Sequence, residues 1–127
     1  LPKPLYEGDL GQAVLDYRLQ NRIDGGQNLA RVEWEGNGVK GRKIFPNDPG
    51  GLHSEQLMAD WLKTNGIPDD AVKRIYSERV PCTKEANGRT CLGIAQSYPN
   101  AEVSYSLTGT KRENRKAIMD VMLRGRR

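Results

Sequence analysis

The chain has 127 residues and a formal net charge of +4, with 36% hydrophobic and 28% charged residues. That length suits one domain with a modest core, and the charge favours polyanionic partners. No apolar run approaches the roughly 18 residues a membrane-spanning helix needs, and no basic–apolar–small leader is present, so neither a span nor a signal peptide is expected in this piece. The chain begins Leu1-Pro2-Lys3-Pro4, which reads as a fragment of a longer protein starting in a linker over residues 1–11.

In Gln12–Gln20, Leu15, Tyr17 and Leu19 alternate but Val14 and Leu15 do not, so a strand and a short helix both remain open. Asp24-Gly25-Gly26 signals a turn. Leu29–Glu35 places Ala30, Val32 and Trp34 on one face with period two, a strand. Gly36-Asn37-Gly38 suits a hairpin turn, because Asn and Gly tolerate positive φ, and Val39–Phe45 is the returning strand. Pro46 to Gly51 forms a loop. Leu57, Met58, Trp61 and Leu62 fall at helical spacing within His53–Thr64, which Asn65-Gly66 and Pro68 terminate; Met58 and Trp61 are expected in the core. Val72–Ser77 is a central strand, Thr83–Thr90 a loop and Cys91–Tyr98 a short helix ended by Pro99. Glu102–Leu107 alternates Val103, Tyr105 and Leu107 as a strand. The last helix covers Lys111–Leu123 with Ile118, Val121 and Met122 inward, followed by a basic tail at 124–127. Strand–helix–strand units of this order call for a sheet with parallel neighbours covered by helices, in a single domain spanning 1–127.

The chain has one histidine and two cysteines, and all three lie between His53 and Cys91. One imidazole, two thiolates and one water complete a tetrahedral catalytic zinc site. Glu55, two residues beyond His53, is placed to act as general acid/base beside that water. Cys82 follows Pro81 where a strand ends, and Cys91 opens a helix, where a thiolate is favoured. Taken singly these residues have blander readings: a chance His-x-Glu, a disulfide, or buried apolar thiols. The joint order, with every His and Cys of the chain used, favours the metal site.

His53-Ser54-Glu55 followed by Pro81-Cys82 and Cys91 resembles the H-x-E…P-C-x-x-C signature of zinc-dependent enzymes of the cytidine deaminase-like fold. Ile75-Tyr76-Ser77-Glu78-Arg79-Val80-Pro81-Cys82 and Val103-Ser104-Tyr105-Ser106-Leu107 resemble a narrower group, the nucleic acid deaminase domains of bacterial polymorphic toxins. The resemblance covers roughly residues 29–124. One departure is the spacing of the cysteines: Thr83 to Thr90 separate them, where the usual motif has two residues. Zinc requires thiolate position rather than sequence spacing, and a longer surface loop adds little closure entropy.

The resemblance implies an α/β three-layer sandwich, a central mixed sheet of about 4–5 strands with helices on both faces. It implies Zn2+ held by His53, Cys82 and Cys91, with Glu55 moving protons from water to the base and the departing amine. The reaction would be hydrolytic deamination of cytosine to uracil in DNA, single-stranded slightly favoured over duplex. Backbone groups at Ser54 and Val80 are candidate base-edge contacts, since they flank the ligands. Asn47, at the end of the second strand, is another, although turn chemistry beside Pro46 and Pro49 explains it slightly better. Tyr98, Phe45 and Trp34 are candidate stacking rings, with Trp34 better explained as core. Glu78 is read as a brace for a ligand or a solvent-facing ion pair. Lys40, Arg42 and Lys43 on one strand, and Lys111, Arg112, Arg115 and Lys116 on the last helix, are candidate phosphate contacts, against the commoner solvated face.

The expected partners are nucleic acid, with DNA favoured, and a cognate immunity protein, acidic to match the basic surface; the chain is expected to be monomeric and off the membrane. The expected location is the target-cell cytoplasm, reached by secretion as part of a larger bacterial toxin. Two alternatives stay open: a deaminase of RNA or free nucleosides, and a non-enzymatic basic nucleic-acid-binding module with structural cysteines.

Overall fold

The hairpin sets the frame of the molecule. In the computed structural model, which describes residues 2–23, 25, 27–36, 38–47, 54–79 and 91–125, strands β1 (Leu29–Gly36) and β2 (Val39–Pro46) pair antiparallel from Leu29↔Pro46 to Gly36↔Val39. β1 pairs on its other side, antiparallel, with β3 (Val72–Arg79), bringing Ala30 opposite Ser77 and Val32 opposite Ile75. β3 pairs in parallel with β4 (Glu102–Leu107), and the sheet order is β2-β1-β3-β4. The parallel pair is the one the strand–helix–strand reading requires; the rest of the sheet is antiparallel.

Period two along the strands divides the side chains between two faces. Val32, Phe45, Val72 and Ile75 meet Met58 and Leu62 of α2 (Ser54–Thr64) and Ile94 of α3 (Cys91–Gln96), with Tyr98 just beyond it. Met58 is fully buried and Leu62 nearly so; truncating such a leucine to alanine typically costs about 2–5 kcal/mol. On the opposite face Leu29 and Tyr76 pack with Tyr6 and with Leu10 and Val14 of α1 (Gly8–Asn21). Val121 of α4 (Lys111–Gly125) joins that cluster, and Ile118 and Met122 are buried. The molecule is therefore an α/β three-layer sandwich with a four-stranded mixed sheet.

Several boundaries have local causes. α2 ends where Gly66 adopts φ 70°, and Ile67 N–H closes the turn on Leu62 O at 3.0 Å. α4 begins with a capping box: Glu113 N–H donates to Thr110 Oγ1 and Thr110 N–H to Glu113 Oε1, each at 3.1 Å. Gly41 lies directly under the Trp34 indole, where a side chain would overlap the ring.

The N-terminal segment departs from expectation. Residues 1–11 were expected to be a linker, but Lys3 N–H donates to Tyr105 O at 2.7 Å, Tyr6 is 3% exposed and α1 starts at Gly8. Tyr6 takes φ 61°, and Gly11 closes on its backbone: a Cβ at Gly11 would lie 2.7 Å from Tyr6 Cα. Gln12–Gln20, open between strand and helix, belongs to α1.

Candidate active site

α2 begins beside the end of β3, and α3 packs against α2. The start of α2 and the end of β3, two of the elements expected to carry the ligand set, therefore meet at one rim of the sheet, joined through Asn28. His53, Val80, Cys82 and the Thr83–Thr90 loop lie outside the described residues, as does the side chain of Cys91, although Cys91 opens α3 as expected. Accordingly, no group of three or more His, Cys, Asp or Glu side chains forms among the described residues.

Glu55 is described, and its environment is specific. It occupies the first turn of α2 and is 3% exposed. Among the described residues its carboxylate has no hydrogen-bond or ion-pair partner. A carboxylate withdrawn from water costs free energy unless something compensates it. The positive end of the α2 dipole supplies part of that compensation. A metal-held water beside the carboxylate would supply the rest, so the described part of the site, a buried carboxylate, fits a metal-activated water; the side chains that would hold the metal, His53, Cys82 and Cys91, lie outside the described residues.

The rim is held together by Asn28, which precedes β1. Its Nδ2 donates to Ser54 Oγ at 2.8 Å and to Ser77 Oγ at 2.9 Å. Its Oδ1 accepts Arg79 N–H at 3.1 Å, and its own N–H donates to Asn47 Oδ1 at 2.9 Å. One side chain thus ties the start of α2 to the end of β3, while its backbone ties both to the end of β2. Ser54 and Ser77 are buried. Asn47 serves this brace: its N–H also donates to Asn28 O, and its carbonyl accepts Gln27 Nε2, each at 3.0 Å.

Behind Asn28 lies a buried ion pair. Arg18 and Glu78 are both fully buried, with Arg18 Nη2 donating to Glu78 Oε1 at 2.5 Å and Nε to Oε2 at 3.0 Å. Glu78 also accepts from Tyr6 Oη at 2.5 Å and from Leu29 N–H at 2.8 Å. Arg18 also donates to Gln27 O and Ile23 O. The reading of Glu78 as a solvent-facing ion pair is corrected here: the pair is buried, because alternation along β3 turns Glu78 to the α1 side, away from Ser77; its reading as a brace for a ligand concerns side chains outside the described residues. Burial, then the adjacent Glu78 charge, drives the Tyr6 hydroxyl pKa well above its ordinary value. Arg79, whose Nη2 donates to Gly25 O at 2.5 Å, is pushed below the usual guanidinium range by burial.

The expected stacking rings are distributed differently. Phe45 and Tyr98 are 5% and 6% exposed and belong to the core, because each turns toward α2 and α3. Trp34 is half-buried against Trp61, with ring centroids 5.5 Å apart. Trp61, expected to be core, is only half-buried and walls an open groove of about 570 Å³ with Tyr17, Gln27, Lys43, Asn47 and Leu57. Lys43 Nζ sits 5.3 Å from the Trp61 ring centroid and 5.5 Å from that of Phe45. The basic residues of β2 do not form one line. Lys40 and Arg42 register with Glu35 and Glu33, while Lys43 registers with Val32 on the opposite face. Lys111, Arg112, Arg115 and Lys116 are all exposed at the start of α4, just beyond the end of β4 and hence at the same rim as Glu55.

Asn28, Arg18 and the full burial of Glu78 were not anticipated. The only sequence signal for Arg18 is its i+4 spacing from Val14 and i+8 from Leu10. Asn28 offers none beyond standing before a strand.

Residues 25–124 match a family model described as a Xanthomonas-like deaminase. No curated protein matches the chain.

Proposed function

The chain belongs to the Xanthomonas-like deaminase family, and on that premise we propose that it hydrolyses cytosine to uracil in DNA, preferring single strands, as the active domain of an interbacterial toxin. The observation that carries the reading is Glu55: a buried carboxylate in the first turn of α2, without a partner among the described residues, where the ligand-bearing elements meet.

His53, Cys82 and Cys91 would hold Zn2+, which when bound supplies a Lewis acid that brings the pKa of water toward neutrality. Glu55 takes the proton of that water as it adds to C4 of the base. It delivers that proton to N3, then takes the remaining proton of the hydroxyl added at C4 and passes it to the exocyclic amine, which leaves as ammonia. One water is consumed, the C4–N4 bond breaks and a C4–O bond forms; the reaction is hydrolysis of a C–N bond in an amidine. Burial of Glu55 keeps bulk water from competing for its proton. Ser54 and Val80 flank the ligands, so their backbone groups are the proposed contacts to the base edge. Asn47 shapes that edge through its bonds to Asn28. Tyr98 contributes indirectly, as part of the core that packs with Ile94 of α3.

The polymer reading draws on the net charge of +4 and on the exposed cations at the start of α4. The groove walled by Trp61 and Lys43 would take a nucleotide flanking the target. The toxin reading adds delivery from a larger secreted bacterial protein into the target-cell cytoplasm. It also adds an acidic immunity protein that covers the basic rim of a monomeric domain.

The test is a panel of single-stranded DNA, duplex DNA, RNA and free nucleosides, scored by uracil formation with wild type and Glu55→Ala. Wild type converts cytosine in single-stranded DNA fastest, and Glu55→Ala is inactive while keeping one zinc. Deamination by Glu55→Ala at the wild-type rate refutes the acid/base assignment. Full zinc retention by Cys91→Ala removes Cys91 from the ligand set.

A further inference from the structure

We propose that Asn28 is the positioning residue of this site: it fixes the first turn of α2, and with it His53 and Glu55, against the strand end that leads to Cys82. The inference rests on the zinc deaminase reading but is tested apart from it. Two features set Asn28 apart from an ordinary turn residue. First, both amide hydrogens and the carbonyl oxygen of its side chain are engaged, and they reach different elements: Ser54 on α2, Ser77 within β3 and the backbone N–H of Arg79 at the end of β3. Second, the peptide groups on either side of Asn28 are held from beneath. Gln27 O accepts from Arg18 and Leu29 N–H donates to Glu78, the two members of the buried pair. The side chain therefore projects from a backbone that is itself fixed.

The ligand set is split. His53 belongs to the α2 side and Cys82 to the β3 side, and the chain between them runs the length of α2, a 3-10 turn and β3. Sequence proximity cannot hold the two halves in register. Asn28 bridges the two sides with side-chain hydrogen bonds. Its action is on ligand and acid/base geometry through Ser54, which lies between His53 and Glu55.

The hydrogen-bond inventory separates this role from general stabilisation. In Asn28→Asp the carboxylate still accepts Arg79 N–H, and both serine hydroxyls can rotate to donate to it. In Asn28→Ala all these side-chain bonds are lost, while the backbone bonds between Asn28 and Asn47 remain and preserve the hairpin end. Zinc affinity is measured by chelator competition. Turnover is measured per bound zinc, well below each variant's melting temperature, where loss of stability alone leaves both values unchanged.

Asn28→Ala is expected to weaken zinc binding by about 10–100-fold, as removal of outer-shell partners does. Its kcat per bound zinc is expected to fall by about 100-fold, the scale of an ångström-size misplacement. Asn28→Asp is expected to stay close to wild type in both. Wild-type values in Asn28→Ala overturn the proposal, and so does an Asn28→Asp as impaired as Asn28→Ala. If Asn28→Ala does not fold, Ser77→Ala cuts one arm of the brace: a smaller fall in the same direction supports the proposal, and no change overturns it. A wild type that binds zinc but deaminates no base defeats the deaminase reading, while the zinc affinities still decide the role of Asn28.

Discussion

Replacing Arg18 with methionine tests the foundation of the site. Methionine fills much of the space of the arginine stem but supplies no donor. The Glu78 carboxylate, fully buried, would keep Tyr6 Oη and Leu29 N–H and lose the cation that hydrogen-bonds both of its oxygens. The carbonyls of Ile23 and Gln27 would lose the guanidinium as well. Breaking a buried pair from one side costs about 3–5 kcal/mol, because the remaining charge is left uncompensated. Unfolding entropy scales at about 2 cal/mol/K per residue, so for this length the loss lowers the melting temperature by about 10–20 °C. Thermal and urea melts of wild type, Arg18→Met, Glu78→Gln and the double variant measure it. The double variant should recover part of the loss of Arg18→Met, because neutralising Glu78 removes the orphaned charge. A melting temperature for Arg18→Met within about 4 °C of wild type, equivalent to roughly 1 kcal/mol or less, would show that the pair carries no such weight. Additive effects in the double variant would refute the pairing itself.

Gly41→Ala places a methyl group in the Trp34 indole and should destabilise by about 1–3 kcal/mol, the usual range for overpacking; an unchanged melt would show that the indole moves aside freely. Asp9 gives the pH dependence: hydrogen bonds from Arg74, before any other cause, hold its carboxyl at about 2, against 3.8 for the free side chain. The folded value is depressed, so the contribution is present above about pH 4 and disappears as the pH falls toward 2; because the Asp9 side chain is 72% exposed, it amounts to about 1 kcal/mol or less. Melts between pH 5 and 2 should show this increment in wild type and not in Asp9→Asn, and identical slopes would remove the ion pair from the account.

The parts of the fold legible in the sequence are those where one physical signal acts alone. β1 and β4 alternate cleanly, β2 is announced by the hairpin turn before it, and Glu102–Leu107 has the bounds the alternation gives. α2 and α4 carry apolar stripes at helical spacing, and their stops are marked by Gly66 and a basic tail. α1 was ambiguous because its buried stripe is Leu10, Val14 and Arg18. The third member is charged, while Leu15, Tyr17 and Leu19 happen to alternate. Burial of Arg18 depends on Glu78, sixty residues away, which no local pattern encodes. The same holds at the site. Glu55 was legible as a candidate because its spacing to scarce residues singles it out. Asn28 was missed because its role consists entirely of long-range bonds, to Ser54, Ser77 and Arg79, and its local context reads only as turn chemistry.

The two rims of the sheet differ, and this affects how the molecules behave toward one another. Along β4, Pro2 forms a bridge with Tyr105 and Lys3 extends it, so that edge is partly occupied by the chain itself. Among the described residues no strand pairs with the outer side of β2. An open edge is a template for another copy. Here Lys40, Arg42 and Lys43 crowd that edge, so two molecules meeting β2 to β2 would bring like charges together. The repulsion is strong at low ionic strength and fades at high salt, where the screening length falls to about 3 Å near 1 M. The cations that would attract a polyanion thus also oppose a sheet extended from one copy to the next, and concentrated salt would weaken both effects together.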